Sequence, residues 1–161
     1  MKIEFLKASK ADVNEIMLLY KEVMKTTFTT WGQGYPNREL IELDVSNDSL
    51  YVLKDNGKII AVSFLGVKEE ENENWENKLS NPLGIARICV SSEYQGKGIG
   101  TRFVSLLVEE AKARGADGMH FHVATLNASA MRMYENVGFK NCGLGKSNYG
   151  FDYYKYEMVF E

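Results

Sequence analysis

EYQGKGIGTRF, residues 93–103, sets three glycines at alternate positions, Gly96, Gly98 and Gly100, directly ahead of a helical apolar pattern. Glycine loses more backbone freedom on folding than any other residue, so this spacing needs a physical reason. LGIARICV (83–90) precedes the glycines as a nearly continuous apolar run, suited to a central strand. Ile99, Phe103, Leu106, Leu107 and Ala111 follow at helical spacing and stop near Gly115. Strand, glycine loop and helix together aim the unpaired N–H groups of the first helical turn, and the positive end of the helix dipole, at one point. Phosphate or diphosphate is the natural occupant of such a point, and glycine removes the Cβ atoms that would hold it off. Lys97 and Arg102 add positive charge nearby. A turn that merely happens to be rich in glycine is the bland alternative.

Two nucleotide readings of the same stretch fail. A P-loop needs GxxxxGK followed by Ser or Thr, and no glycine stands at the required distance upstream. A dinucleotide fingerprint counted from Gly98 puts Phe103 where its third glycine belongs.

Outward from the loop, the chain reads as short elements with short connections. IEFLKA (3–8) alternates like a strand, and Ser9 is a fitting N-cap for a helix carrying Val13, Ile16, Met17, Tyr20, Val23 and Met24. Pro36 is expected to open a second helix running to about Asp44. LYVLKDNGKIIAVSFLGV reads as a hairpin turning at Asn56-Gly57. KEEENENWENKLSN (68–81) is acidic and rich in Asn, and reads as a solvated loop between strands. MHFHVAT is a strand, NASAMRMYENV a short helix and FDYYKYEMVF a final strand. The expected order is β-α-α-β-β-β-α-β-α-β-β, a mixed α/β sheet with helices packed on it. The central hairpin argues against a doubly wound parallel fold.

The totals narrow the function classes. The chain of 161 residues has the length of one domain, 1–161, and 45% hydrophobic with 25% charged residues is ordinary for a globular protein. A net charge of −3 argues against nucleic acid as partner. Cys89 and Cys142 form no CxxC pair, and His120 and His122 alternate within a strand-like run, so no metal is expected. No apolar run approaches the ~18 residues that cross a bilayer, and the charges threaded through MKIEFLKASK leave no signal-peptide core. A soluble, cytoplasmic protein without a membrane partner is the expectation.

Gln95, Gly98 and Gly100 spell Q-x-x-G-x-G. Asn127, Ala130, Tyr134, Gly138 and Phe139 spell N-x-x-A-x-x-x-Y-x-x-x-G-F. The two motifs, with one helix and one strand between them, resemble the hallmarks of the GCN5-related N-acetyltransferase (GNAT) superfamily, and the element order is similar along essentially the whole chain. That resemblance implies acetyl-coenzyme A as cofactor and transfer of its acetyl group to a primary amine by direct attack in a ternary complex. It also implies that the backbone of Ile88, Cys89 and Val90 pairs with the pantetheine arm, one of its N–H groups stabilising the oxyanion that develops. The loop of Gln95, Gly96, Lys97, Gly98, Ile99, Gly100 and Thr101 would hold the diphosphate. Asn127 and Ser129 would contact the cofactor, although Asn at a helix start is also a good N-cap. Tyr134 would protonate the departing thiolate; a tyrosine of the core is the alternative.

The chain departs from the family pattern at one place. Many members carry Glu or Asp three or four residues before the Val90 position, where Ala86 and Arg87 stand here. The base is therefore unassigned. Glu93 reads as solvated, and His122, a residue type often used as a base, reads as a structural histidine. Arg87 lies inside an apolar run, so it must pair or reach a cleft. An intramolecular salt bridge and recognition of an anionic group on the acceptor both answer that need. TTFTTWGQGYP (26–36) occupies the stretch where the family places acceptor contacts, and Trp31 and Tyr35 are its candidates, Trp31 also fitting as a plug at the core edge. Polyamine, amino acid, aminoglycoside, peptide N-terminus and protein lysine all remain open as acceptors, and both monomer and homodimer remain open, with the final strand free to pair across a dimer or complete its own core. A non-catalytic acyl-CoA sensor or interaction module is the rival reading.

Overall fold

The computed structural model describes residues 2–26, 31, 34–68, 73–148 and 150–161. Among the described residues, eleven helices and strands follow the expected order: β1 (Ile3–Lys7), α1 (Val13–Thr26), α2 (Arg38–Ser46), β2 (Leu50–Asp55), β3 (Lys58–Gly66), β4 (Pro82–Val90), α3 (Ile99–Ala113), β5 (Gly118–Ala124), α4 (Ala128–Val137), β6 (Lys140–Asn148) and β7 (Asp152–Val159). Strand order in the sheet is β1-β2-β3-β4-β5-β7-β6. The residues form two compact units, 1–65 with 86–103 and 66–85 with 104–161.

The first unit is built on an antiparallel meander. β1 pairs with β2 from Ile3↔Asp55 to Lys7↔Tyr51, and β2 pairs with β3 around a bulge at Leu53/Lys54. Asn56 (φ 49°) and Gly57 (φ 86°) turn the hairpin with two left-handed residues, as a type I′ turn requires. Ile16, Leu19, Tyr20 and Val23 of α1 and Ile41 and Val45 of α2 bury one face with Leu50, Val52, Ile59 and Val62. Polar ties fix where α1 sits: Glu15 accepts from the Ile59 N–H at 2.7 Å, and Asp12 accepts from the Ser9 N–H at 2.8 Å and pairs with Lys54 at 3.0 Å. A single 3₁₀ turn, Lys10–Asp12, separates Ser9 from the α-helix proper. Pro36 does not open α2. The N-cap is Asn37, whose side chain accepts from the Leu40 N–H at 2.8 Å, a bond that proline could not offer.

The second unit centres on β7, antiparallel to both β5 (Gly118↔Val159 to Ala124↔Tyr153) and β6. The final strand thus completes its own sheet. α4 ends at Gly138, which takes φ +115° and closes the helix with bonds to Tyr134 and Glu135. The described part of the acidic run, 73–81, is a loop between β3 and β4 whose residues are exposed or half-buried, but it is tied down: side chains of Lys155 and Glu157 on β7, and of Asp117 just before β5, hold its backbone. Among the described residues no helix is long and apolar enough to cross a membrane.

Candidate functional site

In the first unit, β4 leads through a 3₁₀ turn, Ser92–Tyr94, into the glycine loop. Gly96 (φ 76°) and Gly98 (φ 78°) both lie in the left-handed region, and a Cβ built on either would meet no atom within 4 Å. The loop surface there is open backbone. The first α3 amides have no acceptor within the helix, whose opening bond runs from the Arg102 N–H to the Gly98 carbonyl at 3.1 Å. Gln95 holds the loop to the strand by donating Nε2–H to the Val90 carbonyl at 3.1 Å. Lys97 lies 5.6 Å from the centre of the Tyr94 ring, and Tyr94 in turn donates to Asp55 at 2.6 Å. Ile99 is buried, while Gly100 and Thr101 are half-buried in the first turn. The unpaired amides that open this fifteen-residue helix are chemically competent to take an anion.

Upstream, Cys89 and Val90 are buried and Ile88 is half-buried. Burial, reinforced by the Glu22 carboxylate, pushes the Cys89 thiol well above its ordinary pKa, so it is inert. Arg87 adopts φ +52° inside β4, a conformation that costs a non-glycine residue about 1–3 kcal/mol. Its carbonyl accepts from Tyr20 at 2.7 Å, its guanidinium pairs with Asp44 at 2.7 Å and donates to the Tyr35 hydroxyl at 3.3 Å, and it lies 4.9 Å over the Phe64 ring. The salt bridge considered for Arg87 is thus present, and its partner is on α2. Trp31 packs edge-on against Tyr20 at 5.3 Å and covers the border of the core, while Tyr35 keeps its ring half open to solvent. Of the rest of 26–36, residues 27–30, 32 and 33 lie outside the described residues.

In the second unit, Asn127 caps α4 by accepting from the Ala130 N–H at 3.1 Å, and Ser129 is exposed in the helix's first turn. Tyr134 has its ring buried against Phe121 (4.8 Å), Phe139 (5.8 Å) and Tyr156 (5.9 Å). Burial raises the phenol's pKa above its ordinary value, so it carries its proton throughout the neutral range. No described residue accepts a hydrogen bond from its hydroxyl. β4 and β5 pair in parallel at Pro82↔Gly118 and Leu83↔Met119.

The opposite face of β5 and β7 carries groups that the sequence alone did not bring together. His120, Lys155 and Glu157 are all buried. Glu157 accepts from the Glu76 and Asn77 amides, both at 2.8 Å, and Lys155 donates to the Asn74 carbonyl at 2.6 Å. Trp75 stacks on His120 at 3.9 Å and on His122 at 5.1 Å. The His122 Nε2 lies 2.5 Å from the Glu73 Oε1, with the side chains 9% and 3% exposed. Burial pushes Glu73 up, but hydrogen bonds from the Lys146 amide, His122 and the Asn74 amide more than offset it and hold the carboxyl below its usual range. The available signal was Trp75, an aromatic residue stranded in an acidic run.

Comparison with known proteins bears on both motifs. Residues 16–139 match the acetyltransferase (GNAT) family, and the chain belongs to that family. Among curated relatives, it is 39% identical over 56 residues to the uncharacterized N-acetyltransferase YobR of Bacillus subtilis, across 35% of this chain and 23% of that protein. It is 26% identical over 99 residues to the [ribosomal protein bS18]-alanine N-acetyltransferase of Escherichia coli, across 62% and 60%. The chain therefore matches less than two thirds of the length of these relatives. Its fold is that of solved GNAT structures. A GNAT-family acetyltransferase of Streptococcus agalactiae superposes with a TM-score of 0.83 at 20% identity, covering 99% and 96% of the two chains. PaiA N-acetyltransferase of Thermoplasma acidophilum, solved in complex with coenzyme A, gives 0.79 at 18% identity, covering 99% and 100%.

Proposed function

We propose that this chain is an N-acetyltransferase acting as one domain, moving an acetyl group from acetyl-coenzyme A to a primary amine. The supporting observation is the open amide row at the start of α3, where Gly96 and Gly98 leave room that any side chain would fill. A diphosphate fits that row: the amides from Gly96 to Thr101 would hold it, with Lys97 adding charge. Acetyl-coenzyme A, when bound, supplies the activated acetyl thioester. Ile88, Cys89 and Val90 offer backbone groups for its extended arm, and Asn127 retains its side-chain NH₂ after capping α4. Tyr134 holds a proton on a hydroxyl that no described residue engages, as a donor to a leaving thiolate must. Trp31, Tyr35 and Arg87 stand as acceptor contacts, with Asp44 fixing the guanidinium for that task. The two free cysteines suit a reducing cytoplasm.

Calorimetry with coenzyme A and acetyl-coenzyme A, followed by thiol release across an amine panel, tests the proposal. The panel should hold spermidine, L-lysine, an aminoglycoside and an alanyl peptide, the last because one relative is named for an alanine of a ribosomal protein. Binding with release for at least one amine is expected, and Gly98→Val should abolish both. Binding without release would favour the acyl-CoA sensor, a reading that the missing carboxylate at Ala86 and Arg87 encourages. Absence of binding would end both.

A further inference from the structure

We propose that the acceptor is an amine that also carries a carboxylate, an amino acid or short peptide, and that Arg87 and Tyr35 hold that carboxylate. The inference rests on the acetyl-transfer reading and names the substrate class of that same site. Every residue it uses lies in the first unit. Arg87 directly precedes Ile88, Cys89 and Val90, the backbone proposed for the cofactor's arm.

The fold presents the Arg87 side chain at some expense. Its backbone takes φ +52°, and Tyr20 pins that strained peptide by donating its hydroxyl to the Arg87 carbonyl at 2.7 Å. The Phe64 ring centre lies 4.9 Å from the guanidinium carbon. Asp44 accepts from Nη2 at 2.7 Å, the two side chains being 9% and 6% exposed. A buried ion pair on a strained residue is a poor way to gain stability, since desolvation consumes most of the attraction. The guanidinium is also incompletely used. Its Nε–H is buried and has no hydrogen-bond partner among the described residues. An orphaned buried donor is rare, and it calls for an acceptor that the chain itself does not supply.

Tyr35 links this group to solvent. Nη1 donates to the Tyr35 oxygen at 3.3 Å, so the hydroxyl keeps its own proton to give, on a residue that is 43% exposed. A hydroxyl that accepts from a cation is polarised into a stronger donor. Asp44 cancels the charge of the guanidinium, so the site offers N–H and O–H groups rather than a net positive field. Such a set selects an oxygen acceptor, and a carboxylate takes these bonds roughly twice as strongly as a neutral carbonyl does. The second ammonium of a polyamine has only donors to offer and meets only donors here.

Matched acceptors test the inference: L-lysine and alanylglycine, each as the free acid and as the C-terminal amide, with spermidine as an amine that has no carboxylate. Amidation removes the charge and leaves the amine in place. In thiol release, the unaltered protein should show kcat/KM about tenfold or more higher for an acid than for its amide, with the difference in KM. Spermidine should be used less well than the acids. Tyr35→Phe should shrink the acid-to-amide ratio towards one, again through KM. Arg87→Lys keeps a charge for Asp44 but loses the planar fork and Nε–H, and it should shrink the ratio as well. The comparison of acid with amide needs no variant, so it decides the matter even if neither variant folds. Equal use of acid and amide, a preference for spermidine, or a ratio that Tyr35→Phe leaves unchanged overturns the inference and returns Arg87 to a salt bridge of the fold. An unaltered protein that releases no thiol with any amine sinks the acetyl-transfer reading instead, and the two failures are distinguishable.

Discussion

The two faces of the β5–β7 pair solve opposite physical problems. One carries Phe121 and Tyr156 beneath Tyr134 and Phe139, rings meeting edge to face or tilted at 4.8–5.9 Å, and burial of apolar surface holds it together. The other carries His120, His122, Lys155 and Glu157 beneath 73–81, and each of those polar groups must find a partner or cost more than it returns. The apolar face tolerates approximate packing and carries the Tyr134 hydroxyl, the acid in the proposed reaction. The polar face tolerates nothing approximate, because a carboxylate that misses its donors is left charged and dry. A fold that needs only stability would fill the second face as it fills the first.

The apolar face is where removal of bulk should cost most. Phe121→Ala deletes a ring that is 1% exposed and touches both Tyr134 and Phe139, so a loss of about 3–5 kcal/mol is expected in chemical unfolding. A loss below about 1 kcal/mol would mean that the face collapses around the gap, and the contrast drawn above would break. Tyr134→Phe probes the same face without changing its packing. Turnover should fall about 10²-fold while the melting temperature and acetyl-coenzyme A affinity stay where they were, since no described residue engages the hydroxyl. Unchanged turnover would return Tyr134 to the core.

Gly145→Ala carries the comparison to the polar face. The added methyl would stand inside contact distance of Glu73 and His122, and the pair must separate or β6 must retreat. A cost of about 1–3 kcal/mol is expected by thermal denaturation, against a near-neutral result for the same change at an exposed strand position.

The apolar face was legible in the sequence and the polar face was not, for reasons of range. NASAMRMYENVGF announces its helix by an N-cap, a periodic stripe and a closing glycine, all within thirteen residues. HFHV likewise announced a strand with both histidines on one side. Glu73 lies 49 residues upstream of His122, and no local rule connects them. The acidic run hides its role because charge in a sequence signals solvation and says nothing of backbone bonds, whereas four of its backbone groups are taken by Glu157, Lys155 and Glu73. β6 was legible only as one of two closing strands. KNCGLGKSN has two glycines and one large apolar side chain, Leu144, which is itself exposed, so β7's ladder supplies the order that propensity lacks. Asp44 escaped notice as the Arg87 partner for the same reason: 43 residues separate them.

The smallest expected effect is also the most specific to the polar face. Glu73 is held below its usual pKa, so the folded state binds a proton at Glu73 less readily than the unfolded chain does. Its contribution is fully present above the unfolded value near 4.5 and is lost as pH falls through the lower folded value. Glu73→Gln has no carboxylate to titrate. The stability gap between parent and variant should therefore be widest from pH 5 upward and narrow steadily as pH drops below about 4.5, read from urea midpoints at each pH. The apolar-face variant Phe121→Ala has no such titration to lose, and its gap should hold constant over the same range. A Glu73→Gln gap that is equally flat would mean the carboxylate gains nothing from its donors, and the polar face would then be held by the Trp75 stack and the Glu157 bonds alone.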